Sequence, residues 1–404
     1  MENQQKKKIV FDMALNITAS MVPVAVLQLV IFPLFATRLG DDRYGLLLTI
    51  VSLMTLCTGT FGNSLNNVRL LMQLKYSEQK LSGDFNVILL CLAILNCIVM
   101  GIGTYLYEGA FYPLSVALIL LSSVLQLVRE YYNVEFRLNL NYIAVLVNNI
   151  LLVAGYIIGC GLFLLTDQWQ FIYIIGTAFS LLHILKKTTL HREPFKTTAL
   201  FRETGIKSLV LMVSSFLANA INYMDRLLLF PLVGGASVAI YYSATLFGKI
   251  ISMGITPINS VMLSYFSKMK TFRQKNFWLV LGASFALGAV GYGACILISR
   301  PVLMLLYPQL AEQAMQYIFV TTATAMLSMV VSVLNPIILR FCNTNWQIGI
   351  NGANVLLYTV LSLLLLKQYG LMGFCVGALL AVCAKLLLMI GIYCFSLKNS
   401  NGLI

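Results

Sequence analysis

The chain has 404 residues, of which 59% are hydrophobic and only 10% are charged. A soluble domain carries about a quarter charged residues, and here the apolar residues come in blocks of roughly 20 or more, the length that spans a bilayer as helix. The net charge of +13 would suit a nucleic-acid binder, but the cations lie mostly in short breaks between apolar blocks and no nucleic-acid module is visible. The expected class is an all-α polytopic membrane protein. Open sheets leave backbone groups unpaired in lipid, and the alternating segments of a β-barrel are absent.

About twelve spans are predicted from apolar length and from breaks at charged or turn-rich stretches. The first six cover residues 9–37, 44–74, 84–106, 111–132, 140–165 and 170–185. A basic linker, KKTTLHREPFKTTALFRETGIK, follows. The second six cover residues 208–232, 237–266, 277–298, 314–339, 346–366 and 371–397. The first apolar block is too long for a cleavable signal and has no small-residue cleavage site. Nine cysteines are scattered through apolar segments without CxxC spacing, and read as small packing residues. Pro23, Pro33, Pro257 and Pro336 interrupt spans and are expected to kink them.

Lysine and arginine placement orients the chain. Lys6, Lys7 and Lys8, Lys75 and Lys80, Arg129 and Arg137, the central linker, and Lys268, Lys270, Arg273 and Lys275 all fall on one side of an even number of spans. Opposite loops hold only Arg38, Arg43, Arg300 and Lys367. By the positive-inside rule both termini and the linker are expected in the cytoplasm. The outward loops are short, so any transport or chemistry must occur among the helices.

An internal repeat relates the halves. RLGDDRYGLLLT, between the first two spans, aligns with LVGGASVAIYYS, between the seventh and eighth. Gly40 falls on Gly234, Gly45 on Ala239 and Leu46 on Ile240. Such repeats are a mark of two-lobed transporters. The expected domains are an N-terminal six-helix lobe with its linker, residues 1–200, and a C-terminal six-helix lobe, residues 201–404.

Charges inside lipid-spanning segments are costly and point to function. Lys249 is the sharpest candidate, because Tyr242, Thr245, Ser252, Thr256 and Asn259 fall on its helical face. That stripe reads either as the lining of a water-filled cavity or as a lysine paired with a buried acid. Asp225 and Arg226 either neutralise each other or, for Asp225, supply an ion-coupling carboxylate; Asn222 shares their faces. Arg69 follows Asn63, Asn66 and Asn67, and either snorkels to the headgroups or lines a cavity mouth. Lys385 sits among Gly377, Ala378, Ala381 and Ala384, which suit close helix packing. Substrate binding is thus expected at Lys249, Arg69, Arg226 and Lys385. Asp225 is the candidate for ion coupling, and Tyr242, Thr245, Ser252, Thr256, Asn222 and Asn66 are candidate lining residues. No GxSxG, HExxH or P-loop is present, so neither catalysis, a metal nor a nucleotide is expected.

LGDDRYGLLLT, MDRLLLFPLVGGASVAIYYSA and REYYNVEFRLNLNYIAVLVNN together resemble the polysaccharide flippases (Wzx-type O-antigen and capsule transporters) of the multidrug/oligosaccharidyl-lipid/polysaccharide superfamily. The resemblance covers essentially the whole chain, with Ala239 standing where the second repeat usually has glycine. It implies a MATE-like fold of two six-helix lobes around a cationic vestibule. The implied activity moves an undecaprenyl-pyrophosphate-linked oligosaccharide across the bacterial inner membrane by alternating access, coupled to a proton or sodium gradient and to no cofactor. The implied partners are the lipid-linked oligosaccharide, membrane lipids, a polysaccharide polymerase and a chain-length regulator, with no nucleic acid. The rivals are a multidrug/cation antiporter, which would favour acidic cavity groups, a lipid II flippase with about fourteen spans, and a membrane-embedded polymerase, which would want a sizeable external loop.

Overall fold

A computed structural model describes residues 18–110, 112–139, 141–251, 255, 259, 262, 274–342 and 345–401. Among these residues every regular element is helical. In chain order they are α1 (Thr18–Leu39), α2 (Asp41–Glu78), α3 (Asp84–Glu108), α4 (Pro113–Tyr132), the short α5 (Val134–Leu138), α6 (Tyr142–Thr166) and α7 (Gln170–Lys187). Then come α8 (Phe201–Ala244), α9 (Gln274–Leu306), the short α10 (Ala311–Met315), α11 (Ile318–Phe341) and α12 (Asn345–Asn401). α8 breaks at Gly234 and α12 at Gly370, so each consists of two arms.

Among the described residues nine helices are long and apolar enough to cross a membrane. They do not reproduce the predicted spans one for one. The apolar stretch Gly349–Ser396 runs through the break at Gly370, where two spans were predicted. α7 carries Gln170, Ser180, His183, Lys186 and Lys187 along its length, which keeps it out of the nine. Most of residues 252–273, and with them Pro257, Ser252 and Thr256, lie outside the described residues.

The chain divides into two compact units, Met1–Gly235 and Ala236–Ile404. The lobes expected from the sequence meet at residue 200, whereas contacts divide the chain after Gly235, with the first arm of α8 in the first unit. Ser64 on α2 donates to Ser215 Oγ at 3.0 Å, and Tyr107 on α3 donates to the Leu227 carbonyl at 3.2 Å. The connector ahead of α8 is also built into that unit.

α2 is the enclosed helix of the first unit. In the most apolar stretch of α2, 72% of residues are buried, against 17% for α9. Its buried side includes Thr49, Ser52, Thr58, Thr60, Ser64 and Asn66. Several of the hydroxyls return to the preceding turn, as Ser52 does to the Leu48 carbonyl at 2.6 Å, which removes the cost of an unpaired polar group. Outward faces are apolar instead, as at Leu165 and Leu297, the inversion expected where lipid is the solvent. At one end of the first unit Tyr76, Phe85, Leu127 and Tyr131 form an aromatic-rich core, with Phe85 and Tyr131 stacked at 6.4 Å. In the second unit Phe277 stacks on Tyr393 at 3.8 Å over Leu334, Ile337 and Met389.

Two local features follow from sequence rules. Pro33 has no N–H, and its ring collides with the carbonyl four residues earlier in an ordinary helix. α1 answers by widening into a π-turn over Leu27–Ile31. One pair of glycines aligned in the sequence shares a backbone conformation. Gly40 has φ 75° and ψ 167°, and Gly234 has φ 81° and ψ 174°. The aligned glycines thus make the same turn, one that a side chain resists. Within the first unit, Gly45 lies directly on the backbone of Gly235, and Gly235 on the carbonyl of Asp42.

Candidate functional site

In the first unit, Arg69 lies on the buried face of α2 and makes a bidentate ion pair with Glu193 of the connector. Nη2 meets Oε1 at 2.6 Å and Nη1 meets Oε2 at 2.9 Å. Nε donates to Gln73 at 3.2 Å, and the guanidinium lies 4.6 Å above the Phe85 ring. Only 7% of the Arg69 side chain and 15% of the Glu193 side chain are exposed. The planar fork suits such a carboxylate partner.

The same connector is tied down at two more points. Asn86 donates to the carbonyls of Leu190 and Glu193 at 3.2 and 2.9 Å. Asp84 accepts from the Thr198 amide, the Thr198 hydroxyl and the Tyr76 hydroxyl at 2.6, 2.5 and 2.6 Å. Gly83, at φ 121°, leaves room that a side chain would take from the Pro194 and Lys196 carbonyls. Beyond it, Glu203 accepts from Lys75 and Lys207. Those two bonds, from Lys75 first, hold its carboxyl below the usual carboxylate range. A basic linker read only for its cations does not disclose Glu193. The signal available was one acid inside KKTTLHREPFK, with an arginine elsewhere in need of a partner.

Asp225 and Arg226, on the first arm of α8, neutralise each other at 3.5 Å, and Asp225 also accepts the Arg226 amide at 2.8 Å. Both side chains are 11% exposed. Arg226 reaches across to Ser52 on α2 at 2.8 Å and back to the Asn222 carbonyl at 3.4 Å. The residue Asn222 is exposed. Asn66 is bonded between helices, donating to the Glu130 carbonyl at 3.0 Å and accepting from Arg137 at 2.8 Å.

A further cation is embedded with neutral partners. Arg129 on α4 donates to Ser180 Oγ on α7 and Asn149 Oδ1 on α6, both at 2.6 Å. Ser180 in turn donates to Asn148 at 2.9 Å. The sequence reading treats Arg129 as an orienting charge near a loop; the helix carries it into this polar junction.

In the second unit, Lys249 places its ammonium 2.9 Å from the centre of the Tyr242 ring and 3.2 Å from the Tyr242 carbonyl. Thr245 interrupts the helix between them, with its hydroxyl on the same carbonyl at 3.0 Å. Tyr242 is buried and Lys249 half-buried. Asn259 donates to Ser332 on α11 at 2.6 Å. Lys385, half-buried on α12, meets Asn351 Oδ1 at 3.4 Å and makes no ion pair among the described residues.

The predicted site residues therefore fall into separate settings. Arg69 and Arg226 have carboxylate partners in the first unit. In the second unit Lys249 lies against a tyrosine and Lys385 against an asparagine. Among the described residues no cluster of His, Cys, Asp or Glu could hold a metal.

No protein-family model matches the sequence, and no curated protein does. Solved structures do match. A lipid II flippase, MurJ, in an inward closed conformation superposes with a TM-score of 0.69 at 16% identity over 96% of this chain and 86% of its own. An inward-facing multidrug resistance MATE transporter of the MOP superfamily gives 0.64 at 13% identity, covering 95% and 99%. A MATE protein in a bent conformation gives 0.60 at 12% identity, covering 97% and 94%. At such identities the likeness speaks for architecture, and along nearly its whole length this chain has the all-helical membrane fold of MATE transporters and of MurJ.

Proposed function

We propose that the protein is a flippase for a polyprenyl-pyrophosphate-linked oligosaccharide, working by alternating access in the bacterial inner membrane during O-antigen or capsule assembly. The observation that carries this reading is Lys249, a cation on a polar helical stripe, held by a carbonyl and a ring face. A cation–π contact in a desolvated setting is worth about 2 kcal/mol or more, and unit charges 4 Å apart attract by about 4 kcal/mol at an effective dielectric of 20. A pyrophosphate can therefore draw the ammonium off the ring, and the ring can take it back when the substrate leaves. In this reading the polyprenyl tail stays in lipid while the sugar passes through the vestibule that the resemblance implies.

A lipid II flippase is the second reading, favoured by the likeness to MurJ and served by the same phosphate chemistry. Lys249→Ala is expected to lower surface polysaccharide at least tenfold, while Lys249→Arg retains most of it. Full assembly in Lys249→Ala would remove the main support for a cationic substrate site. Rescue of lipid II export, without any effect on polysaccharide, would favour the second reading.

Coupling is assigned to Asp225. Protonation there would loosen Arg226, which also reaches α2 through Ser52. Asp225→Asn, which keeps the shape and one acceptor oxygen, is expected to make flipping insensitive to a proton gradient in reconstituted vesicles. Unaltered gradient dependence would transfer coupling elsewhere or to sodium. In this reading the termini and the connector face the cytoplasm, and a polymerase and chain-length regulator receive the product.

A further inference from the structure

At the end of α7 that carries Lys186 and Lys187, a cavity of about 310 Å³ opens between α5, α6 and α7. It belongs wholly to the first unit, and none of the candidate site residues described above lines it. Its polar walls are Glu135, Asn139, Asn141, His183 and Lys187.

These walls contain one fixed anion and one fixed cation. Glu135 accepts from Asn139 Nδ2 at 2.9 Å and from Thr188 Oγ1 at 3.2 Å, so each carboxylate oxygen keeps a lone pair for another donor. Lys187 is exposed and makes no ion pair among the described residues. The Nε2 atom of His183 is buried without a hydrogen-bond partner among them, while its ring lies against Phe136 at 6.0 Å. Asn141 uses its carbonyl to cap α6, accepting from the Ala144 amide at 3.0 Å, and so leaves its amide hydrogens to the cavity side.

The remaining walls, Phe136, Ile143, Ala144 and Val147, are apolar. From them an apolar track continues along the outer face of α6, where Ile143, Ile150 and Ile157 are 64%, 51% and 65% exposed. A polar cup at a helix end, continued by an apolar track along the bilayer direction, has the layout of a phospholipid: headgroup in the cup, acyl chain on the track.

We propose that this cavity binds the headgroup of a zwitterionic phospholipid bearing a primary amine, of the phosphatidylethanolamine kind. Its phosphate lies toward Lys187, His183 and Asn141, and its ammonium donates to Glu135. Charge decides between lipid classes. An anionic headgroup without an amine meets the Glu135 carboxylate uncompensated. A quaternary ammonium has no N–H to give that carboxylate. A headgroup with both a phosphate and an ammonium satisfies both walls and adds no net charge.

The full chain, reconstituted in nanodiscs of equal phosphatidylethanolamine, phosphatidylcholine and phosphatidylglycerol, would be released into detergent and its retained lipid quantified by native mass spectrometry. Wild-type protein is expected to retain phosphatidylethanolamine at least fivefold over the other two. Glu135→Gln is expected to bring that ratio to about one, and Lys187→Gln, which takes away a partner of the phosphate that all three lipids share, to lower the total lipid retained at least threefold. Lys187 is exposed and bonds nothing among the described residues, so its variant tests the site even where Glu135→Gln loosens the Thr188 contact. Equal retention of the three lipids by the wild type, preference for phosphatidylglycerol, or undiminished lipid retention in Lys187→Gln would overturn the assignment. The assay reads lipid retention alone and does not depend on what the protein transports.

Discussion

Glu193→Ala is expected to lower the stability of the protein by about 3–5 kcal/mol, the usual effect of leaving one member of a buried ion pair without its partner. Arg69 would keep Gln73 and the Phe85 face, and neither cancels its charge. Arg69→Ala should cost a similar amount for the converse reason. The double replacement Arg69→Met with Glu193→Leu removes both charges and fills the space, and such replacements are often neutral. Thermal unfolding in detergent reads all three. Single variants that melt with the wild type would show that the pair contributes nothing. Transport by the double variant then separates two roles for Arg69. A stable double variant that still flips substrate makes Arg69 a fastener of the connector, and a stable but inactive one makes it a substrate contact.

The second large effect is expected at Gly45. A β-carbon there would run into the backbone of Gly235, which has no flexible end to move aside. Overpacking against side chains costs about 1–3 kcal/mol, and Gly45→Val should reach or exceed the upper figure. Gly59, on the same helix, has open space where its β-carbon would go. Gly59→Ala is therefore expected to stabilise by up to about 1 kcal/mol through helix propensity. Measured side by side, equal melting of the two variants would refute the backbone contact.

The fold was legible because lipid enforces simple rules. Apolar length located most helices, and a twelve-residue match set Gly40 against Gly234. Gly40 and Gly234 then adopt the same backbone turn. The limits of the sequence were polar. Positive-inside counting treats cations as signs of orientation and is blind to what each one touches. Arg69 finds its partner more than a hundred residues along, in a stretch that reads as solvent-exposed. Arg137 is taken up by Asn66 and Asn67, and Arg129 by Asn149 and Ser180, through contacts that no periodicity encodes. The stripe around Lys249 was legible as far as Tyr242 and Thr245. What the sequence left open was the partner of the ammonium, because a ring face carries no charge to count.

The anchored connector changes how the middle of the chain should be handled. With Arg192 and Lys196 exposed among other basic residues, it looks like a natural place for trypsin to cut or for a tag to be inserted. Yet the carbonyl of Glu193 is bonded to Asn86, the carbonyl of Lys196 lies against Gly83, and the Thr198 amide is bonded to Asp84. A protease needs several residues free to extend through its cleft, and an insertion needs a backbone with no such bonds to lose. Splitting the protein here would not yield two independent halves, since it would sever the cord that ties the start of α8 to the ends of α2 and α3.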